Sequence, residues 1–359
     1  MESLKDRPIG RQFSINMKAL VLEEYNKLVY KDVDKPQPSF GEVLIRVKAC
    51  GICGSDVHGM DGSTGRRQPP IIMGHEASGI IMETGEGVTH WKEGDRVTFD
   101  STVYPLNDWY TLKGRYNLSE CREVVGVSPK EYKRHGAFAE YLVIPQHILY
   151  KIPDNVSFEQ AAMVEPAAVA AHAIRISGIG AGNSAVVFGS GMIGTFIVSL
   201  LKAAGATPVI AVDVDDNKLK TAEKYGAEII INSNNQDVVE LIKNCTKGRG
   251  ADFGFEAVGI SLTVNSMINS LRKGATGMLV GNLSPAIDFP LQKVVTSEIK
   301  IQGSCAICGE YEMVLDMIAG GKLQVDDMIS AVAPLEEGPE WFRKLYNKES
   351  NLNKVILVP

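Results

Sequence analysis

At 359 residues the chain is too long for one ordinary core, and 45% hydrophobic with 22% charged residues is the balance of a globular protein of two domains. A formal net charge of -6 with no long basic run argues against a nucleic-acid scaffold, which needs a basic excess. Six cysteines, at 50, 53, 121, 245, 305 and 308, are too few and too uneven for a secreted disulfide framework, and no stretch reads as a signal peptide or membrane span, so a cytoplasmic protein with reduced thiols is expected.

Residues 1–16 carry no strand or helix pattern and read as a loosely held extension. From Met17 to about Pro153 short alternating runs (MKALVLEE, KLVYKDV, EVLIRVKACGI, SGIIMETG, DRVTFD, FAEYLVIP, HILYKIP) are punctuated by Gly, Pro and Asp, which predicts a small, irregular, mostly antiparallel barrel. After Ser157 strand and helix alternate. AVVF, VIAVD, EIIIN, DFGFEAV, TGMLVG and IKIQGS are the strands, and this rhythm implies a parallel sheet covered on both faces. The helix after AVVF spaces Ile193, Phe196, Ile197, Leu200, Leu201 and Ala204 along one face and stops at Gly205. Beyond Ala306 the tail has helical and turn character, then ends in KVILVP, a strand able to return to the first domain. The expected division is 17–160 with 305–359 as one domain and 161–304 as the other.

Gly189-Ser190-Gly191-Met192-Ile193-Gly194 joins AVVF to that helix. In this context the glycines permit a sharp turn and close backbone approach, and the helix N-terminus faces a pyrophosphate. Asp213 closes VIAVD nineteen positions beyond Gly194, where a carboxylate can accept both ribose hydroxyls of NAD and repel the extra phosphate of NADP. Its alternative is to cap the next helix, which Asp215 or Asp216 can do as well. No arginine follows Asp213, so NAD is expected.

Cys50-Gly-Ile-Cys53-Gly-Ser-Asp-Val-His58 ends a barrel strand, and Gly74-His75-Glu76 comes after a short loop. Cys, His and Glu suit the borderline-soft Zn²⁺, and three such ligands with an open position make a catalytic site. The run Gly74-His75-Glu76-x2-Gly79-x5-Gly85-x2-Val88 resembles the signature of zinc-containing medium-chain alcohol dehydrogenases, and the Cys53 segment resembles their first-ligand segment. The likeness runs from Met17 to the C-terminus. It implies an α/β molecule with a GroES-like β-rich catalytic domain and a Rossmann domain built on a doubly wound parallel sheet.

Where that family often has a third cysteine ligand, this chain reads Ala161-Ala-Met-Val-Glu165-Pro166, and a Glu-Pro there is similar to the sorbitol (L-iditol) and butanediol dehydrogenase branches. An ionised Glu in so apolar a run needs a partner, which a metal supplies; otherwise Pro166 starts a helix with Glu165 near its positive end. The implied metal set is Cys53, His75, Glu76 and Glu165, with either carboxylate as the direct ligand and Asp56 orienting His75. The resemblance implies oxidation of a secondary alcohol of a polyol or sugar-like substrate to a ketone by hydride transfer to NAD. Ser55 then takes the alcohol proton and passes it through the nicotinamide ribose to His58.

Gly59-Met60 stand where sorbitol dehydrogenases often carry an aromatic pair, so butanediol-type and threonine-type substrates stay open. A zinc-free reductase or a non-catalytic nucleotide-binding protein has no use for all four ligands. Relatives imply a homodimer or homotetramer joined at the edges of the Rossmann sheets, for which TGMLVGNLSPAIDFPLQ offers an edge. His172 reads as packing, and Cys305-Ala-Ile-Cys308 is too isolated to read as a metal or redox motif. The family's second, structural zinc needs C-x2-C-x2-C-x7-C, whose positions here, anchored on GRYNL, fall on Pro105, Asp108, Thr111 and Ser119. One zinc per chain is therefore expected, with the lobe held by Tyr104, Trp109, Tyr110, Leu112 and Tyr116.

Overall fold

The structure, a computed structural model, describes residues 16–127, 134–234, 236–349 and 352–359. The expected extension over 1–16 thus lies outside the described residues except for Asn16.

The first half is β-rich and almost wholly antiparallel. Asn16–Glu24 pairs with Lys27–Asp34 on one side and Ile71–Ile72 on the other. A larger sheet runs in the order Leu149–Lys151, Arg96–Phe99, Glu76–Thr84, Glu42–Gly51, Lys354–Val358, Ile329–Pro334, and Tyr141–Pro145 also pairs with Glu42–Gly51. The C-terminal strand does return to this domain, where Leu357 lies opposite Cys50. Ile329–Pro334, a strand the sequence pattern does not announce, joins it in parallel at the sheet edge. Two registers bring distant residues together: Gly51 faces Glu76 across one pairing and Ile356 across the other.

The second half holds six parallel strands in the order Ile229–Asn232, Val209–Asp213, Ala185–Phe188, Ala251–Glu256, Leu271–Leu279, Lys300–Gly303. This is the doubly wound order, whose ligand crevice lies where the winding reverses beside the Ala185–Phe188 strand. Period two is visible in that strand: Ala185 and Val187 enter one core with Phe196, Leu201 and Phe255, while Val186 and Phe188 enter another with Ile210, Ile242 and Met267. Each such fully buried Phe or Leu stabilises the fold by about 1.5–3 kcal/mol. Met192–Ala203 buries Phe196, Ile197, Leu200 and Leu201 as its spacing predicts, and Gly205 takes the left-handed conformation, φ +81°, that ends the helix. Tyr311, Val314 and Leu315 of the helix Tyr311–Ala319 join the same core. Among the described residues, no helix is long and apolar enough to cross a membrane.

Candidate active site

Cys53 leaves the Glu42–Gly51 strand and caps the one-turn helix Gly54–Gly59. Its sulfur accepts the Ser55 N–H at 3.5 Å, and Asp56 Oδ2 accepts the Cys53 N–H at 3.3 Å, a reciprocal cap that holds both side chains. His75 and Glu76 arrive from the other side. Gly74 has φ +97°, and a Cβ there would lie 2.9 Å from Cys50 Sγ, so only glycine lets the chain turn His75 into place. Glu76 then begins the strand Glu76–Thr84 opposite Gly51, which has no room for a side chain beside its carboxylate.

One ligand atom from each of Cys53, His75 and Glu76 lies within 4.8 Å of the others. His75 and Glu76 are buried and Cys53 is partly open, so the group is reached from the Cys53 side. Asp56 Oδ1 lies 3.5 Å from His75 Nδ1. Burial opposes a charged imidazole, yet the Asp56 carboxylate and the Cys53 sulfur outweigh it and push His75 well above its ordinary value. The pocket therefore favours positive charge at the ring. A soft-to-borderline cation held by thiolate, imidazole and carboxylate meets that demand, and the donor set fits Zn²⁺.

Glu165 stands outside this triad, in the first turn of the helix Val164–Ser177. Ser101 Oγ donates to its Oε1 at 3.5 Å. Desolvation pushes the Glu165 carboxyl up to about 7; His75 and Lys354 work against this and Glu76 adds to it. The structure therefore groups Cys53, His75 and Glu76 and leaves Glu165 as a neighbour coupled through charge.

Ser55 and His58 sit three residues apart on the short helix, both exposed. Ser55 Oγ donates to Cys53 Sγ at 3.3 Å, which places the expected proton acceptor against the triad.

Two cations carry no signal in the sequence. Lys354, 3% exposed, donates from Nζ to Glu76 Oε2 at 2.5 Å and to the Ile52 carbonyl at 3.1 Å. Burial disfavours its charge, but Glu76 more than restores it, so the ammonium value is raised. Arg67, 1% exposed, donates to Asp56 Oδ1 at 2.6 Å. Against burial, His75 and Arg67 hold Asp56 well below the usual carboxylate range.

In the dinucleotide turn the three glycines do three different things. Gly189 has φ +93° and no space for a Cβ, which would meet Val258 Cγ2 at 2.5 Å. A Cβ on Gly194 would collide with the Gly189 carbonyl oxygen, so helix and turn pack directly together. Around Gly191 nothing lies within 4 Å of the Cβ position. That open space lies at the N-terminus of Met192–Ala203, where helix N–H groups can meet an anion. Met192 and Ile193 begin that helix, partly exposed. Asp213 ends its strand beside the turn and accepts the Ser190, Val214 and Asp215 N–H groups at 2.7, 2.8 and 3.0 Å. Capping of the next helix falls to Asp215.

The lobe differs from expectation in its packing. Tyr104 and Tyr116 stack with centroids 4.1 Å apart, and the Tyr116 hydroxyl donates to Asp100 at 2.7 Å. Trp109 and Leu112 instead stand 66% and 71% exposed. They ride on a helix of only four residues, Trp109–Leu112, too short to turn one face inward. Asp108, at one of the four positions of the absent cysteines, caps that helix by accepting the Thr111 N–H at 3.1 Å. His172, expected to pack, is buried but makes a polar contact, its Nδ1 lying 2.9 Å from Glu310. Cys305 and Cys308 face the lobe, Cys308 Sγ donating to the Gly114 carbonyl at 3.2 Å.

Comparison with known proteins matches residues 39–154 to the alcohol dehydrogenase GroES-like domain and residues 193–320 to the zinc-binding dehydrogenase domain. D-xylulose reductase A of Aspergillus oryzae is 33% identical over 91% of this chain and 93% of its own length. The (R,R)-butanediol dehydrogenase of Bacillus subtilis is 33% identical over 96% of this chain and 100% of its own. A solved structure described as a zinc-binding dehydrogenase from Sinorhizobium meliloti, bound to NADP, superposes with a TM-score of 0.89 at 30% identity, covering 96% of this chain and 100% of that one.

Proposed function

The chain belongs to the zinc-containing medium-chain alcohol and polyol dehydrogenase family, an oxidoreductase using zinc and a nicotinamide cofactor, and we propose that it oxidises a secondary alcohol of a polyol or related diol to a ketone with NAD. The observation that carries this reading is the convergence of Cys53, His75 and Glu76 beside Ser55. Bound Zn²⁺ supplies the Lewis acidity that eases loss of an alcohol proton, and bound nicotinamide the hydride acceptor. Cys53, His75 and Glu76 hold the ion, Glu165 stands ready as a further carboxylate, and Asp56 orients the imidazole. Ser55 accepts the alcohol proton, and His58, one helical turn on and exposed, delivers it to solvent.

Gly189, Gly191 and Gly194 shape the turn for the pyrophosphate, and Met192 and Ile193 present their backbone N–H groups at the helix start. Asp213 supports NAD over NADP: three of its lone pairs hold the turn, the remaining capacity suits a ribose hydroxyl, and Asp215 and Asp216 nearby repel a phosphate. One zinc per chain is supported by Asp108 and Thr111 being joined to each other where thiolates would be needed. The strand within TGMLVGNLSPAIDFPLQ is not the edge expected of it, because Leu271–Leu279 pairs on both sides, with Ala251–Glu256 and Lys300–Gly303. The end strand is Lys300–Gly303, and with Leu283, Phe289, Leu291 and Val295 exposed nearby in sequence it supports a homodimer or homotetramer. Six free thiols support a cytoplasmic location.

A screen of polyols, 2,3-diols, sugar phosphates and amino alcohols, read as NADH formation, tests the reading. Turnover of a secondary alcohol with NAD far above NADP is expected. Turnover of primary alcohols alone, or equal use of both cofactors, contradicts it.

A further inference from the structure

Arg67 lies in the polar loop between His58 and Gly74, where arginine ordinarily points to water, as the adjacent Arg66 does. Its guanidinium is instead almost fully buried against the short helix. Gly59 makes the room: a Cβ there would lie 2.6 Å from Arg67 Cγ. One nitrogen, Nη2, donates to Asp56 Oδ1 at 2.6 Å and to Ser55 Oγ at 3.3 Å, while Nη1 reaches the Arg66 carbonyl at 3.4 Å and Nε is buried without a partner. An arginine kept only to neutralise a carboxylate gains most from a bidentate fork on both oxygens. Here the second oxygen of Asp56 is given to the Cys53 N–H, and the guanidinium is turned toward Ser55.

A serine hydroxyl has one proton and two lone pairs. The Ser55 proton is directed at Cys53 Sγ, and one lone pair receives Arg67 Nη2. A single lone pair is left, aimed by these two bonds instead of rotating among three staggered positions. We propose that Arg67 is a positioning residue for the dehydrogenase reaction, fixing the Ser55 oxygen so that its free lone pair takes the alcohol proton as the hydroxyl turns from Cys53 Sγ and releases its own proton toward His58, which leaves Ser55 neutral. The inference rests on Ser55 as proton acceptor. Asp56 links this contact to the metal ligands, because the same carboxylate oxygen that takes Arg67 also faces His75.

The test compares S55A, R67M, R67K and S55A/R67M with the parent, using whichever of butane-2,3-diol and xylitol turns over faster, in water and in D2O. Arg67→Met is expected to lower kcat roughly ten- to hundredfold, as misplacement of a reacting group does, with an enlarged solvent isotope effect and an unchanged KM for NAD. S55A/R67M should be no slower than S55A. Cobalt-substituted proteins give a readout free of turnover: loss of the Ser55 hydrogen bond to Cys53 should shift the thiolate-to-cobalt absorption band in R67M in the same direction as in S55A. Arg67→Lys keeps the buried charge on Asp56 and the fold, but its ammonium cannot also hold Ser55, so it should show the same band shift should R67M fail to fold. Slow S55A with additive losses in the double variant, or a parental band in the folded Arg67 variants, overturns the role of Arg67 alone. An S55A enzyme as fast as the parent overturns the proton-acceptor reading and this inference with it.

Discussion

Replacing Lys354 with methionine removes one buried charge while keeping the length of the side chain. Glu76 is then left 1% exposed with no cation on Oε2, and the Ile52 carbonyl loses its donor. Breaking a buried ion pair from one side costs about 3–5 kcal/mol, because the remaining charge stays desolvated and uncompensated. That full loss applies to the metal-free protein. With Zn²⁺ bound beside Glu76 the ion itself supplies compensating charge, so the loss must be smaller. Binding linkage then requires the variant to hold zinc more tightly than the parent by the difference, and each ~1.4 kcal/mol recovered is tenfold in affinity. Removal of the repelling ammonium acts in the same direction. Urea unfolding with chelator and with zinc, together with chelator competition, measures both quantities. The expected result is a marked destabilisation in chelator, a smaller one in zinc, and zinc affinity raised by about tenfold or more. Equal destabilisation in both conditions with unchanged zinc affinity would refute the reasoning.

The dinucleotide turn yields a contrast between two alanine substitutions. Gly194→Ala should lower the melting temperature by several degrees, since its Cβ meets the Gly189 carbonyl, whereas Gly191→Ala should melt like the parent yet bind NADH about tenfold or more weakly by fluorescence titration. Parental NADH binding by Gly191→Ala would remove the pyrophosphate from that space. Glu310 predicts an acid limb of stability: burial opposes its charge, but His172, the Cys308 N–H and Arg175 together hold its carboxyl below the ordinary value. A depressed folded-state value stabilises above the unfolded carboxylate range and is lost as pH falls through the folded value. The unfolding midpoint of the parent should therefore drop more steeply than that of Glu310→Gln below about pH 4.5, and parallel curves would contradict this.

Much of the fold was legible because it is written locally. Period two in MKALVLEE and EVLIRVKACGI, strand-helix alternation after Ser157, and three glycines before an amphipathic helix each depend on neighbours in sequence. Ile329–Pro334 escaped because it is an edge strand, ISAVAP, whose side chains are mostly half-buried or exposed, so it lacks a continuous apolar signal. The Cys53, His75 and Glu76 group was legible through motif spacing. Lys354 and Arg67 were not, because a charged residue reads as solvated until its partner is known, and the partner of Lys354 lies 278 positions away. The lobe shows the converse error: Trp109 and Leu112 look like core material, yet a four-residue helix capped by Asp108 carries them outward.

The proposed activity depends on a zinc ion held by Cys53, His75 and Glu76. Zinc titration of chelator-stripped protein, with NADH formation from a secondary alcohol as the readout, tests it most directly. Activity should rise linearly from near zero and saturate at one zinc per chain, and Cys53→Ser should abolish the rise. Activity that survives stripping, or saturation only near two tightly bound zincs per chain, would contradict the account.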